Sequence, residues 1–240
     1  MKFLKITKPY HLKDYKFTLI ILVMAISFLG VLVIGSANES YQGKQIIGLV
    51  AAVILMVVVS VIDYVWIANF YWILYILSVG MLAIVLIPGV GEVVNGARRW
   101  INLGFTNFQP SELAKIFLII FFAKFIMVHE EDLSSKRTIL KAVILIVIPL
   151  VLIFEEPNLS TTICTAALFC VLMYVGGLSY RFIGIVLLVT VPTAIILLSL
   201  IVQPDQKILD DYQQKRILAW LNPEDYASGT GFQTCRHYTP

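Results

Sequence analysis

The sequence predicts an all-α membrane protein that crosses the bilayer about seven times, and three observations carry that prediction. Hydrophobic residues make up 59% of the 240 residues and charged residues only 14%, against roughly 45–50% and 25% in soluble domains. Mean hydropathy reaches +0.88. The apolar residues are also gathered in blocks divided by short polar stretches, as they would not be in a single very apolar core. A spanning helix needs about 20 mostly apolar residues, so seven of them consume a share of the chain that matches its hydrophobic fraction. A soluble globular domain, a disordered chain and a nucleic-acid binder are excluded.

In chain order, residues 1–16 form a tail carrying Lys2, Lys5, Lys8, Lys13 and Lys16. The apolar run behind it is too long for a signal peptide and lacks a small-residue cleavage site, so the tail reads as retained and cytoplasmic. Spans are expected at 17–36, 45–62, 67–87, 111–128, 138–154, 159–175 and 182–202, together a helical domain over 17–202. Pro149 and Pro192 fall inside two of them, which membrane helices tolerate because neighbouring groups re-satisfy the freed carbonyls. Short flanks rich in Lys and Arg place the N-terminus inside, with Lys124, Lys136, Arg137, Lys141 and Arg181 adding to the lysine tail on that side.

The net charge of +3 says little about partners. Cys164, Cys170 and Cys235 do not form a disulfide framework, and His11, His129 and His237 stand singly, so no metal-ligand spacing exists. Two segments are too long for plain connectors, 88–110 and 203–240, and both fall on the outer face by parity. Long loops in compact proteins tend to be functional, so chemistry is expected there.

Within the first of these segments, Arg98 and Arg99 are adjacent guanidiniums beside Trp100. Arginine presents a planar fork of donors suited to phosphate, and tryptophan suits the membrane–water boundary. The group reads either as a lipid-phosphate site or as an interfacial anchor. Gln109-Pro-Ser-Glu112 reads as a helix start, with Pro110 in the first turn and Glu112 at the positive end of the dipole. Lys115 follows Glu112 by three residues and can pair with it. At that depth an ionisable group faces the bundle interior or a wet cavity, unless the pair is a structural lock between two helices. Glu155 and Glu156 diverge by about 100° on a helix, so they do not make an acid/base pair; one is expected solvated and Glu156 inward. In the second segment, Glu224 and Asp225 lie on a turn-rich stretch with Pro223, Gly229 and Gly231. A carboxylate there reads as solvated or as a general base.

Taken together, these segments resemble one family. Gly96-Ala-Arg-Arg-Trp-Ile-Asn-Leu-Gly104 with Phe108-Gln-Pro-Ser-Glu-Leu-Ala-Lys115 is similar to the signature of the SEDS proteins, the cell-shape, division and sporulation proteins FtsW, RodA and SpoVE. Glu156-Pro-Asn-Leu-Ser-Thr161 resembles that family's Gln-Pro-Asp-Leu-Gly-Thr segment, with Glu for Gln and Asn158 for Asp. Asn222-Pro-Glu-Asp225 and Gly229-Thr-Gly-Phe-Gln233 resemble its large outer loop. The resemblance implies a peptidoglycan glycosyltransferase that polymerises lipid II, an undecaprenyl diphosphate-linked substrate, at the outer face of the bacterial plasma membrane beside a class B penicillin-binding protein.

On that resemblance Asp225 becomes the candidate base, with Glu224 unranked against it because Asp225 stands one residue early relative to the family's loop proline. Arg98, Arg99 and Lys115 become contacts for the leaving diphosphate or a carboxylate, while Trp100, Glu112 and Gln109 line or brace the cavity. No cofactor is assigned, and a divalent-cation requirement stays open. The family's fold has ten spans and this chain corresponds to its N-terminal part, which predicts a truncated chain with an aberrant end past Gln233. Two other readings stand beside polymerisation: a flippase for lipid-linked precursor, and an inactive truncated member.

Overall fold

The computed structural model describes residues 16–94, 97–102, 104 and 107–180, with single helical positions at 184, 188, 214, 217 and 218. The expected seventh span at 182–202 and the segment 203–240 therefore lie outside the described residues, apart from those isolated positions. The chain divides into two compact units between Asn69 and Phe70.

The first unit holds α1 (Phe17–Ala37), α2 (Glu39–Val61) and a short α3 (Tyr64–Asn69). Helices α1 and α2 pack as an antiparallel hairpin, and each is long and apolar enough to cross a membrane. Their large side chains are almost all exposed, as expected where lipid rather than protein is the neighbour. The sequence places the second span from residue 45, whereas α2 starts at Glu39. Its cap explains the difference: the Asn38 side-chain oxygen accepts from the Ser40 N–H at 3.0 Å and from the Ser40 hydroxyl at 2.7 Å. Glu39 then sits favourably in the positive first turn.

The expected third span at 67–87 is not one continuous helix. Asp63 caps α3 by accepting from the Val65 N–H at 2.8 Å, so helix begins earlier than expected. It then stops at Asn69, a residue whose side-chain amide competes for backbone partners, and resumes as α4 (Tyr71–Leu86).

The second unit contains α4, α5 (Pro110–Val128), α6 (Lys136–Glu155) and α7 (Leu159–Val175). Helices α5, α6 and α7 match the expected fourth, fifth and sixth spans to within two residues. Helix α6 meets the length and apolarity of a membrane span, while α4 and α7 are shorter apolar helices. Aromatic side chains lock α4 to α5: Tyr75 and Phe121 have ring centroids 4.6 Å apart, and Phe122 meets Phe169 of α7 at 4.9 Å. The Tyr75 hydroxyl donates to the Leu145 carbonyl of α6 at 2.9 Å, which satisfies its polar end inside an apolar cluster. A second, smaller cluster of Leu82, Ala114 and Ile153 is fully buried nearer the far end of the unit. Gly176 closes α7 against α5, since a Cβ there would run into the Ile126 side chain.

Segment 88–110, expected as a loop, contains a small antiparallel sheet in the order β1 (Glu92–Val94), β2 (Ala97–Asn102), β3 (Asn107–Phe108). Valines, Trp100, Ile101 and Phe108 favour extended backbone, but strands this short carry no readable alternation. The turn between β2 and β3 uses Gly104 at φ 86°, with its N–H donating to the Asn102 side chain at 2.7 Å. The all-α class holds, with this sheet as a small addition packed on the ends of α4 and α5.

Candidate anion site at the sheet end of the helical unit

The C-terminal ends of α4 and α6 and the N-terminal ends of α5 and α7 come together beneath the sheet, because successive helices alternate in direction. A floor for the site follows from helical spacing. Ser111 lies one turn before Ala114, and Glu156 follows Ile153 by three residues, so both polar groups sit on the stripe that buries the Leu82–Ala114–Ile153 cluster. Glu156 is 0% exposed whereas Glu155 is exposed, in agreement with the expectation that only one turns inward.

Ser111 is the centre of a hydrogen-bonded group. Its hydroxyl oxygen accepts from the Gln109 side-chain amide at 3.1 Å and from the Asn158 amide at 3.5 Å. Gln109 and Asn158 occupy the N-cap positions of α5 and α7, and neither spends its side chain on capping. Both helix dipoles therefore present their positive ends to this region.

The arginines reach the same end of the unit through an irregularity in the sheet. Glu92 pairs with Trp100 and Val93 with Arg98, so Arg99 is an extra residue with no partner on β1. A bulge of this kind re-aims the side chain it carries. Regular pleating would send Arg98 and Arg99 to opposite faces; here both are partly buried, and the Nε of each is buried without a hydrogen-bond partner among the described residues. Their remaining nitrogens differ. Arg98 Nη1 donates to the Leu86 carbonyl at 3.3 Å, tying it to the negative end of α4. Arg99 makes no hydrogen bond or ion pair among the described residues. Gly91 permits this arrangement, since a Cβ there would overlap the Val85 carbonyl and press on the Arg98 stem.

Glu156 has both carboxylate oxygens buried with no hydrogen-bond partner among the described residues. Burial pushes its pKa up to about 8, against the opposing pull of the Ser111 hydroxyl and the Arg99 guanidinium. The carboxyl is therefore mostly neutral at pH 7, because the protonated form is the one that tolerates loss of solvent.

Lys115 and Glu112 form an ion pair at 3.0 Å. Both belong to α5, so the pair does not join two helices, and at three-residue spacing on one helix it contributes a few tenths of a kcal/mol. Lys115 also borders a cavity of about 10 Å³, walled mainly by Phe122, Phe169, Leu118 and Thr165, which is room for about one water. Trp100 lies partly buried on β2 between Arg99 and Ile101. Thus the structure gathers Arg98, Arg99, Trp100 and Gln109 at one end of the unit and places Glu112 and Lys115 on the first turns of α5. Glu224 and Asp225 lie outside the described residues. Ser111 and Asn158 belong to the site without a sequence signal that marks them as functional, although Ser111, Ala114 and Leu118 share a readable helical stripe. No group of three or more His, Cys, Asp or Glu side chains suited to a metal ion occurs among the described residues.

Comparison with known proteins supplies the remaining context. The chain is 30% identical over 220 residues to the peptidoglycan glycosyltransferase MrdB of Escherichia coli K12, covering 90% of this chain and 56% of that one. It is 29% identical to the probable peptidoglycan glycosyltransferase FtsW of Trichlorobacter lovleyi, covering 94% and 60% respectively. The chain thus spans somewhat over half the length of these relatives. Among solved structures, the rod shape determining protein RodA of Thermus thermophilus matches with a TM-score of 0.64 at 29% identity, over 73% of this chain and 58% of that one. A chain from a structure describing polymerization and crosslinking by a peptidoglycan synthase complex matches at 0.72 and 29%, over 92% and 63%. The cell cycle protein family of FtsW, RodA and SpoVE matches residues 12–239, nearly the whole chain, and to that family of polytopic membrane proteins this chain belongs.

Proposed function

We propose that this protein polymerises lipid II into glycan strands at the outer face of the bacterial plasma membrane. In that reaction the 4-hydroxyl of the acceptor's N-acetylglucosamine attacks C1 of the donor's N-acetylmuramic acid. The C1–oxygen bond to undecaprenyl diphosphate breaks, the configuration inverts, and the hydroxyl proton passes to a base. Cations must stabilise the departing diphosphate, and a carboxylate within reach must take the proton.

The observation that carries this reading is the bulge on β2, which leaves Arg99 partly buried and, among the described residues, unpaired at the end of the unit where α5 and α7 begin. An unpaired guanidinium with inward-facing dipoles is an anion site of the kind a diphosphate fits. Arg98, held by the Leu86 carbonyl, acts as its brace, and Trp100 suits headgroup depth. Asp225 is the proposed base, with Glu224 as the other candidate on the same segment. The N-terminus faces the cytoplasm in this reading, and a class B penicillin-binding protein is the proposed partner for cross-linking.

The test is lipid II polymerisation by the purified protein, read as glycan chains on a gel. Wild type makes chains, Arg99→Ala loses at least tenfold in rate and binds lipid II more weakly, and Asp225→Asn binds normally without product. Equal lipid II binding by Arg99→Ala returns that residue to a membrane anchor. Unchanged turnover in Asp225→Asn removes it as the base, and no product from wild type favours the inactive reading.

A further inference from the structure

The buried Glu156 has no role in the reaction just described, yet it occupies the floor of the anion site. Neither oxygen completes a hydrogen bond among the described residues; the groups acting on the carboxyl are the Ser111 hydroxyl and the Arg99 guanidinium, whose own Nε is also buried and unpaired there. No ion pair joins the two, because among the described residues the ion pair formed is that of Lys115 with Glu112. A buried carboxylate and a neighbouring guanidinium that remain unpaired are consistent with a neutral carboxyl. We propose that Glu156 sets the availability of Arg99: neutral Glu156 leaves the guanidinium open to an anionic diphosphate, ionised Glu156 claims it and repels the anion, and anion binding therefore draws a proton from solvent onto Glu156. This rests on the diphosphate reading of Arg99.

The surroundings leave few other groups to do this. Element β2 brings Arg98, which is engaged with the Leu86 carbonyl, and β1 brings Glu92, whose oxygen accepts from Asn102 at 2.9 Å. Helix α5 carries Glu112 and Lys115 at this end, already paired with each other. The outer half of α4 has no titratable side chain, and the first turn of α7 contributes Asn158 and the hydroxyls of Ser160, Thr161 and Thr162. On its own helix Glu156 has only the exposed Glu155 beside it. Thus, among the described residues, an anion seated at Arg99 meets one buried titratable neighbour. Glu156 acts here as a positioning residue, through the arginine rather than on the reacting atoms.

Proton linkage fixes the size of the effect. With the free-state carboxyl titrating at about 8, affinity for a fully ionised anion falls about eightfold from pH 7.5 to pH 9 when the bound form holds the proton throughout. The probe is undecaprenyl diphosphate in nanodiscs, with undecaprenol as the uncharged control, measured against the full-length protein. Wild type is expected to show that decline, and Glu156→Gln, which cannot ionise, is expected to bind with less than a twofold change over the same range. A direct measurement on wild type stands beside the variant: at pH 8.5 in weak buffer, binding should take up roughly 0.8 proton per ligand. An equal decline in wild type and Glu156→Gln, or no proton uptake, overturns the inference while the diphosphate site stands. Absence of diphosphate binding at every pH overturns both.

Discussion

Replacing Glu156 by glutamine removes a titratable group from a site with no exposure to solvent, and the consequence for stability can be worked from its titration. In the unfolded chain this carboxyl titrates near 4.5, and in the folded protein burial raises it to about 8. Between those values the folded state binds more protons than the unfolded state, so stability falls as pH rises, by about 1.4 kcal/mol per pH unit. The loss begins near pH 4.5, is complete just above pH 8, and amounts to about 3.5 kcal/mol between pH 5 and pH 8. Glutamine keeps the shape and cannot ionise. The difference in unfolding free energy between Glu156→Gln and wild type should therefore grow by about that amount over the same interval, in favour of the variant. Denaturant unfolding of both proteins in the same detergent at half-unit pH steps measures it, and every other titrating group cancels in the difference. Parallel pH profiles would show that the carboxyl is solvated or paired in the folded protein, and the argument from its burial would fail.

Other consequences are smaller or more local. Gly91→Ala should destabilise the helical unit by about 1–3 kcal/mol, the usual cost of overpacking, because the new methyl meets the Val85 carbonyl and the Arg98 stem; denaturant midpoints would show it, and a shift within error would mean the turn relaxes freely. Asn38→Ala should cost about 1 kcal/mol and fray the start of α2, seen as faster amide exchange at residues 39–42 with the rest of the helix unchanged. Tyr75→Phe should lose about 1 kcal/mol by stranding the Leu145 carbonyl, whereas Phe121→Ala, at the centre of the aromatic cluster, should lose about 3–5 kcal/mol. Glu112→Gln should change stability by only a few tenths of a kcal/mol, which a midpoint comparison in the same detergent would check.

What could be read from the sequence was whatever depends on residues near one another along the chain. Gln109-Pro110-Ser111-Glu112 marks the start of α5 because proline without its N–H and an acidic residue both suit a first turn. The inward turn of Glu156 follows from its three-residue step beyond Ile153. The early start of α2 was legible in principle from Asn38, Glu39 and Ser40, but the polar residues ahead of the apolar run hid a helix that begins outside the greasy stretch. The sheet was not legible, because strands of three, six and two residues show too little alternation to separate from a loop. Nor was the division of labour between Arg98 and Arg99. It depends on which residue of β1 each one faces, and pairing across strands leaves no trace in the spacing of one of them.

The bulge on β2 makes the site sensitive to the length of the segment as well as to its chemistry. Substituting Arg98 or Arg99 removes one guanidinium and leaves the other where the strand holds it. Deleting a single residue between Ala97 and Trp100 would do something different, because β2 would then match β1 residue for residue and the surviving arginine would take the face that regular alternation assigns. A one-codon deletion in this strand should therefore be less well tolerated than either alanine substitution, although it removes no more charge. Insertions in the turn at Gly104, beyond the paired residues, should be absorbed without rotating either arginine.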